Sequence, residues 1–490
     1  MTTAHEVNRR RFLASLGAGA AAAGLACGAA QRRPNLLYIL ADDLGYGDLG
    51  CYNPESRAPT PNLDRFASQG VRFTDAHSPS AVCTPTRYGI MTGRYCWRTS
   101  LKSGVLWGYS PSLIEPGRMT VASLLKSQGY RTAGFGKWHL GLGNREKTDY
   151  DQPLRPGPLD FGFDSFFGIP ASLDMEPYVY IDNDRVVASP TEHIDEKLEN
   201  RGVFWRGGPI APGFRHIDVL PTVTAKSIAW LRDHGRRHPE QPFFQYLALT
   251  GPHTPWLPTE KFRGRAKAGE YGDFVTMVDD AIAQVLAALD ESGMARDTLV
   301  IFTSDNGAHW LPREIAQWGH RANHFLHGQK ADIWDGGHRI PFLARWPGRM
   351  QAGATCAETI CLTDLLGTMA DVTGLRLPHD AGEDSYSVLP ALLGQKRSGP
   401  IREAVVHHSL LGRFSIRKGE WKLILGRGSG GFSEPIQYKP KPGEPEGELF
   451  DMARDPGETR NLYLERPEIV ARMKALLERY QKQGYSRPMA

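Results

Sequence analysis

The sequence predicts an α/β protein: a large, mostly parallel sheet sandwiched by helices, with a smaller C-terminal α+β domain. Three observations carry this. Apolar runs of strand length alternate with amphipathic runs of helical spacing from Asn35 to Gly307. That order suits a parallel sheet covered on both faces. Several of these apolar runs end in polar, chemistry-bearing loops. After about residue 395 the pattern changes to strand pairs and a closing amphipathic helix.

Taken in order, "PNLLYILADDLG" reads as a short buried strand, Asn35 to Ala41, ending in two aspartates. "TVASLLKSQGYRTAGFGKWHLG" reads as a helix over 120–128, a glycine turn, and a strand over 131–136. "TVTAKSIAWLRDHG" has helical spacing and precedes the apolar run "PFFQYLALTGPHTPW". "YGDFVTMVDDAIAQVLAALDESGM" is a long amphipathic helix, followed by the strand "TLVIFTSDNG". Beyond 395, "FSIRKGEWKLILG" and "GELFDM" read as antiparallel strands, and "PEIVARMKALLERYQKQG" closes the chain as a helix. The Gly/Pro-rich stretch between them, 427–448, has no core pattern and reads as a loop.

Length and composition allow this plan. A chain of 490 residues can build one large domain and a smaller one. Its 41% hydrophobic and 23% charged content is that of an ordinary globular protein. Net charge is +4, and residues 1–30 carry two of those charges. Such a balance, without a long basic run, points away from nucleic acid or a membrane surface as partner.

The first 30 residues read as an export signal. A basic start is followed by an Ala/Gly/Leu run ending in small residues. The core Arg9-Arg10-Arg11-Phe12-Leu13 resembles a twin-arginine signal. The run is too weakly apolar for a stable membrane span. Cleavage near Ala30 predicts a periplasmic or extracellular protein, exported by the twin-arginine machinery. Cys27 after "GLA" offers the alternative of a lipoprotein. The expected organisation is a signal at 1–30, a catalytic domain at 31–395 and a C-terminal α+β domain at 396–490. Six cysteines, Cys27, Cys51, Cys83, Cys96, Cys356 and Cys361, are too few for a disulfide scaffold. Cys356 and Cys361 either pair or remain buried thiols.

Chemistry gathers at the predicted strand ends, where sites on parallel sheets are built. Asp42 and Asp43 end the first strand; Asp305 and Asn306 end the strand at 299–304. Three carboxylates and a carboxamide are hard oxygen ligands suited to Ca²⁺ or Mg²⁺. Cys83 stands at a predicted helix start with Pro85 in the first turn and Arg87 one turn on. Helix N-terminal N–H groups and the arginine predict a lowered thiol pKa there. Lys137 and His139 follow a strand end, and extended alternation puts them on one face with Trp138 opposite. Together they could hold an anion and move a proton. His253 lies between prolines after an apolar strand, and Lys330 precedes a glycine-rich turn.

These pieces together resemble the sulfatase family, within the alkaline phosphatase superfamily, over essentially the whole mature chain. The most specific is Cys83-Thr84-Pro85-Thr86-Arg87, extended by "MTGR" at 91–94. "ADD" at 41–43, "GKWHLG" at 136–141, "PHTP" at 252–255, "SDNG" at 304–307 and the segment 330–341 follow in family order. "ELFDMARDPGETRNL" at 448–462 resembles the second-domain signature. One departure is local: His327-Gly328-Gln329 stands before Lys330 where relatives often carry Arg-Gly-x.

The resemblance implies an alkaline phosphatase-like fold and a formylglycine-dependent, arylsulfatase-like enzyme. A maturation enzyme would oxidise Cys83 to formylglycine, whose hydrated aldehyde is the nucleophile. Asp42, Asp43, Asp305 and Asn306 would hold one Ca²⁺, which also binds residue 83. Arg87 would hold the formylglycine. Lys137, His253 and Lys330 would clamp sulfate oxygens, and His253 or Lys330 would protonate the leaving alcohol. His139 would deprotonate the second hydroxyl and release sulfate.

Eleven tryptophans point to the substrate. Trp107, Tyr109, Trp138, Trp256 and Trp310 lie near motif loops and could stack on sugar rings, and Asp174 could bind hydroxyls. The expected substrate is a sulfated carbohydrate, with aryl sulfates as surrogates. The enzymatic rival is a phosphodiesterase or phosphonate monoester hydrolase of the same superfamily. A rival of another class is an inactive sulfated-glycan-binding protein.

Overall fold

The computed structural model describes residues 33–489. The export-signal reading and Cys27 lie outside the described residues. Within them, no helix is long and apolar enough to cross a membrane.

The main sheet has ten strands: β1 (Asn35–Asp42), β2 (Val71–Phe73), β3 (Arg131–Lys137), β4 (Ser165–Ile169), β5 (Ile181–Asp182), β6 (Arg185–Val186), β7 (Phe243–Pro252), β8 (Thr298–Ser304), β9 (Phe342–Arg345) and β10 (Ala354–Cys356). Their order is β10-β2-β9-β8-β1-β7-β3-β4-β5-β6. The five central strands, β8-β1-β7-β3-β4, are parallel. β9, β5 and β6 run antiparallel to their inner neighbours. Every residue of β1 is buried, which explains its unbroken apolar run. The predicted strands at 35–41 and 131–136 are each one residue longer than read.

Two helix groups flank this sheet. α1 (Pro61–Ser68), α4 (Val219–Arg237) and α5 (Gly269–Glu291) form one group. α2 (Cys83–Thr92), α3 (Val121–Ser127) and α6 (Leu365–Thr373) form the other. The predicted start of α3 is a cap: the Thr120 hydroxyl accepts from Ser123 N at 3.0 Å.

The C-terminal sheet is antiparallel, in the order β11 (Val405–His408), β12 (Phe414–Lys418), β13 (Trp421–Ile424), β14 (Glu448–Asp451). α7 (Pro467–Gln483) packs on β12 and β13. The sequence reading missed β11, whose "VVHH" shows no alternation because all four residues are buried. Cys356 and Cys361 are both free thiols, so their pairing does not occur. They lie in different sheets: Cys356 pairs with Phe73, and Cys361 sits opposite His77.

The two sheets meet along the loop that leads to Cys83. Ala81 N donates to His408 O at 3.1 Å, and the Ser80 hydroxyl donates to the same oxygen. Behind this seam lies a sealed polar cluster. His77 Nδ1 and His338 Nδ1 are 3.1 Å apart, and Asp75 bonds His77 Nε2 and Arg417. Lys422 Nζ bridges Asp335 and Glu458 at 2.8 and 2.7 Å. His77, His338 and His407 are close enough to suggest a metal cage. However, the His338 and His407 rings stack at 3.8 Å with only 10° between planes. Their in-plane lone pairs therefore do not converge on one point, and the cluster is a hydrogen-bonded charge network.

Candidate active site

Six chain segments converge at the C-terminal ends of the parallel strands. β1 and β8 end side by side, laced by Asp305 N to Ala41 O at 3.2 Å and Leu44 N to the Ser304 hydroxyl at 2.9 Å. Asp43 then turns into the left-handed region at φ 63°, so adjacent aspartates serve one site. Asp42, Asp43 and Asp305 are buried with one oxygen each within 4.8 Å of the others. Asn306 Nδ2 donates to Asp43 Oδ1 at 2.7 Å, while its buried Oδ1 has no partner among the described residues. Three packed carboxylates and an orphaned carbonyl oxygen fit a hard divalent cation.

Cations surround this acidic group. Lys137 Nζ lies 2.7 Å from Asp42 Oδ2, and Lys330 Nζ lies 2.7 Å from Asp43 Oδ2. Arg87 reaches from α2 with Nε and Nη2 at 3.0 and 2.8 Å from Asp305 Oδ2. Its Nη1 donates to Lys137 O, which ties the helix to the end of β3. Burial pushes Asp42 up, but Lys137, His253, Arg87 and Lys330 outweigh it and hold the carboxyl well below its usual range. Burial and the Asp42 charge instead push Asp305 up, against the pull of Arg87.

Cys83 is the first residue of α2, as the sequence predicts, and it is buried. The predicted lowering of its thiol pKa does not hold. Burial pushes the thiol up, and Lys137 and Lys330 recover only part of the shift.

The two histidines have assignable tautomers. His139 Nε2 lies 2.8 Å from Leu106 O, which can only accept, so Nε2 carries the proton. Nδ1 is then a bare, buried acceptor without a partner among the described residues. Burial, Lys137 and Arg87 drive its pKa well down, keeping the ring neutral. His139 reaches this place through a left-handed turn at φ 57°, not through the extended alternation read from the sequence. His253 donates Nδ1–H to Thr254 O at 2.6 Å and turns Nε2 toward Asp43, 3.7 Å away.

Asp43, Cys83, His253 and Lys330 open onto a cavity of about 370 Å³. Of the five aromatics singled out, Trp107 and Trp256 line it. Trp138 is wholly buried, Trp310 packs against Tyr271 and His320, and Tyr109 meets Tyr150 edge-on. These three are packing residues. Asp174 lines the cavity, held by Arg206 Nη1 at 2.6 Å, with its Oδ1 unpartnered among the described residues. Sequence reasoning missed Arg201, Arg206 and His309 in the wall. Nothing in "ENRGVFWRGG" marks the first two, because the flanking strands, Lys197–Leu198 and Phe204–Trp205, are too short for periodicity.

Fold and site together suit a hydrolase: a helix-borne residue 83, a carboxylate cluster and several cations around one cavity. Comparison with known proteins narrows the class. The sulfatase family profile matches residues 34–375, and the profile of the N-sulphoglucosamine sulphohydrolase C-terminal region matches 326–483. An N-acetylgalactosamine-6-O-sulfatase of Bacteroides thetaiotaomicron is 33% identical, covering 91% of this chain and 93% of its own. Bovine arylsulfatase A is 35% identical over 90% of this chain and 85% of its own. A solved structure from work on glycosaminoglycan metabolism by Bacteroides thetaiotaomicron superimposes with a TM-score of 0.83. It is 31% identical and covers 92% of this chain and 100% of its own. The chain belongs to the sulfatase family and is a sulfuric ester hydrolase.

Proposed function

We propose that this enzyme hydrolyses the sulfate esters of a sulfated carbohydrate and turns over small aryl sulfates as surrogates. The observation that carries the reading is one cavity joining two kinds of group. Its floor holds Cys83, His253 and Lys330; its wall offers the Asp174 acceptor and the Trp107 ring. The names of the two bacterial relatives support a carbohydrate substrate.

In this reading Asp42, Asp43, Asp305 and Asn306 hold one Ca²⁺, which when bound lowers a hydroxyl pKa and screens charge at the sulfate. Cys83, oxidised to formylglycine by a maturation enzyme, supplies the attacking hydroxyl of a geminal diol. Arg87 fixes Asp305 and the end of β3, holding helix α2 in register with the carboxylates. Lys137 and Lys330 offer ammonium groups to sulfate oxygens. Burial works against a charged Lys330, and the Asp43 carboxylate beside it favours the charge. His253, as the imidazolium with protons on both Nδ1 and Nε2, protonates the leaving alcohol through Nε2 and is left as the Nδ1–H tautomer. His139 Nδ1, bare and neutral, accepts a proton from the second hydroxyl at position 83.

The Arg9–Leu13 motif supports export by the twin-arginine machinery to the periplasm or the medium. Parallel assays on a sulfated sugar, an aryl sulfate and a phosphodiester test the function. Efficient sulfate release, lost in Cys83→Ala, is expected, with an aldehyde at residue 83 in the mass spectrum of its peptide. Greater efficiency on the phosphodiester would overturn the reading, as would sulfated-glycan binding without turnover by matured protein.

A further inference from the structure

Seven large apolar side chains are exposed among the described residues, and three of them, Trp107, Leu198 and Phe432, line the active-site cavity. Leu411 follows Leu410, which also lines it. Exposed apolar groups gathered at the mouth of a catalytic cavity mark a binding surface. Trp107 is the largest, with about half its surface open at 49%.

Its ring is backed by a cation. The Arg206 guanidinium lies 4.8 Å from the Trp107 centroid and 4.9 Å from that of Phe204. Asp174 anchors the same guanidinium through Nη1, and its backbone oxygen accepts a second bond at 3.1 Å. One face of Trp107 is thus backed by a tethered cation, and about half of the side chain stays open to a ligand. The hairpin carrying Arg206 is itself docked, since Trp256 N donates to Gly202 O at 2.7 Å.

Trp107 also adjoins the catalytic base. The preceding residue, Leu106, accepts from His139 Nε2 and donates its own N–H to the Thr84 hydroxyl at 3.2 Å. Thr84 is the second residue of α2. Trp107 is thus one residue from the carbonyl that sets the His139 tautomer.

We propose that Trp107, backed by Arg206, is a subsite for a second sugar ring, so that the preferred substrate is a sulfated oligosaccharide read at two rings. This rests on the carbohydrate reading above and sharpens it. The apolar C–H face of the second ring stacks on the indole, as flat apolar faces do on aromatic rings. Leu106 lies between this contact and His139, so part of the binding energy gained at the second ring is expected in kcat.

The test compares a sulfated monosaccharide, the disaccharide that extends it by one ring, and an aryl sulfate, using the matured full chain. In wild-type protein the disaccharide is expected to show roughly tenfold higher kcat/KM than the monosaccharide, with part of the gain in kcat. Trp107→Ala should erase that ratio, and Trp107→Phe should restore most of it. An equal loss on both sugars in Trp107→Ala would assign the residue a structural role and overturn the proposal. So would a wild-type enzyme that treats both sugars alike. Turnover of the aryl sulfate but of neither sugar would instead overturn the carbohydrate reading beneath it.

Discussion

At the scale of the residue, the site works by assigning each proton a place. Backbone carbonyls do this for both histidines: Leu106 O leaves His139 with a bare Nδ1, and Thr254 O leaves His253 with Nε2 toward the reacting groups. If His253 is the proton donor, its loss should depend on the leaving group. His253→Gln should lower kcat on a sugar sulfate by roughly 10²–10³-fold, yet cost far less on an aryl sulfate with an acidic phenol. Steady-state kinetics on the two substrates would show it, and an equal loss on both would assign the acid role elsewhere. The residue types at this site were legible in the sequence, because contiguous motifs at strand ends carry them. Their ionisation was not. The helix start at Cys83 predicted a lowered thiol pKa, but the thiol is fully buried and desolvation wins.

At the scale of the element, the strand ends are positioned by close backbone approach. Gly136 in β3 has φ 99°, and a methyl group there would sit 1.8 Å from Ala248 O in β7. The next residue is Lys137, so this contact sets where the lysine emerges. Gly136→Ala should therefore cost about 3 kcal/mol or more, combining overpacking with an unfavourable φ. Gly129→Ala is the control: its φ is 84° but nothing lies within 4 Å, so about 1 kcal/mol is expected. Chemical unfolding of the two variants checks the difference, and equal losses would refute the packing argument. The long elements were legible from their periodicity: α4, α5, α7 and the strands β1, β3, β7 and β8, while β4 was missed. The edge strands and the Lys197–Trp205 hairpin were not, since two- or three-residue strands carry too little pattern.

At the scale of the whole molecule, the C-terminal sheet braces the loop that leads to Cys83. Ala81 and Ser80 bond His408, while Asp75, two residues before His77, is gripped by Arg417 of β12 at 2.7 Å. Burial pushes the Asp75 carboxyl up, but Arg417, His77 and Arg339 outweigh it and hold its pKa well below the ordinary value of 3.8. A carboxylate lowered in the folded state stabilises the fold above its unfolded pKa. That stabilisation is lost as pH falls below it. The wild-type unfolding midpoint in urea should thus begin to drop near pH 5 and go on falling well below pH 3. Asp75→Asn should be weaker by about 3 kcal/mol at pH 7 and lose less on acidification. Parallel pH slopes for the two proteins would exclude this role for Asp75.

The sequence by itself determined the class of sheet, the residues that could bind a cation and, through its resemblance to the sulfatases, the position of the proposed nucleophile. These follow from local patterns: buried runs, strand-end carboxylates and a helix-starting Cys-x-Pro-x-Arg. Tertiary structure alone decided which aromatics face the cavity, that Arg206 backs Trp107, and that Asp75 and Arg417 meet across 342 positions. It also decided each proton's place, because burial and partner identity depend on groups distant in the chain. Local spacing encodes what a residue can do, and only packing fixes what surrounds it.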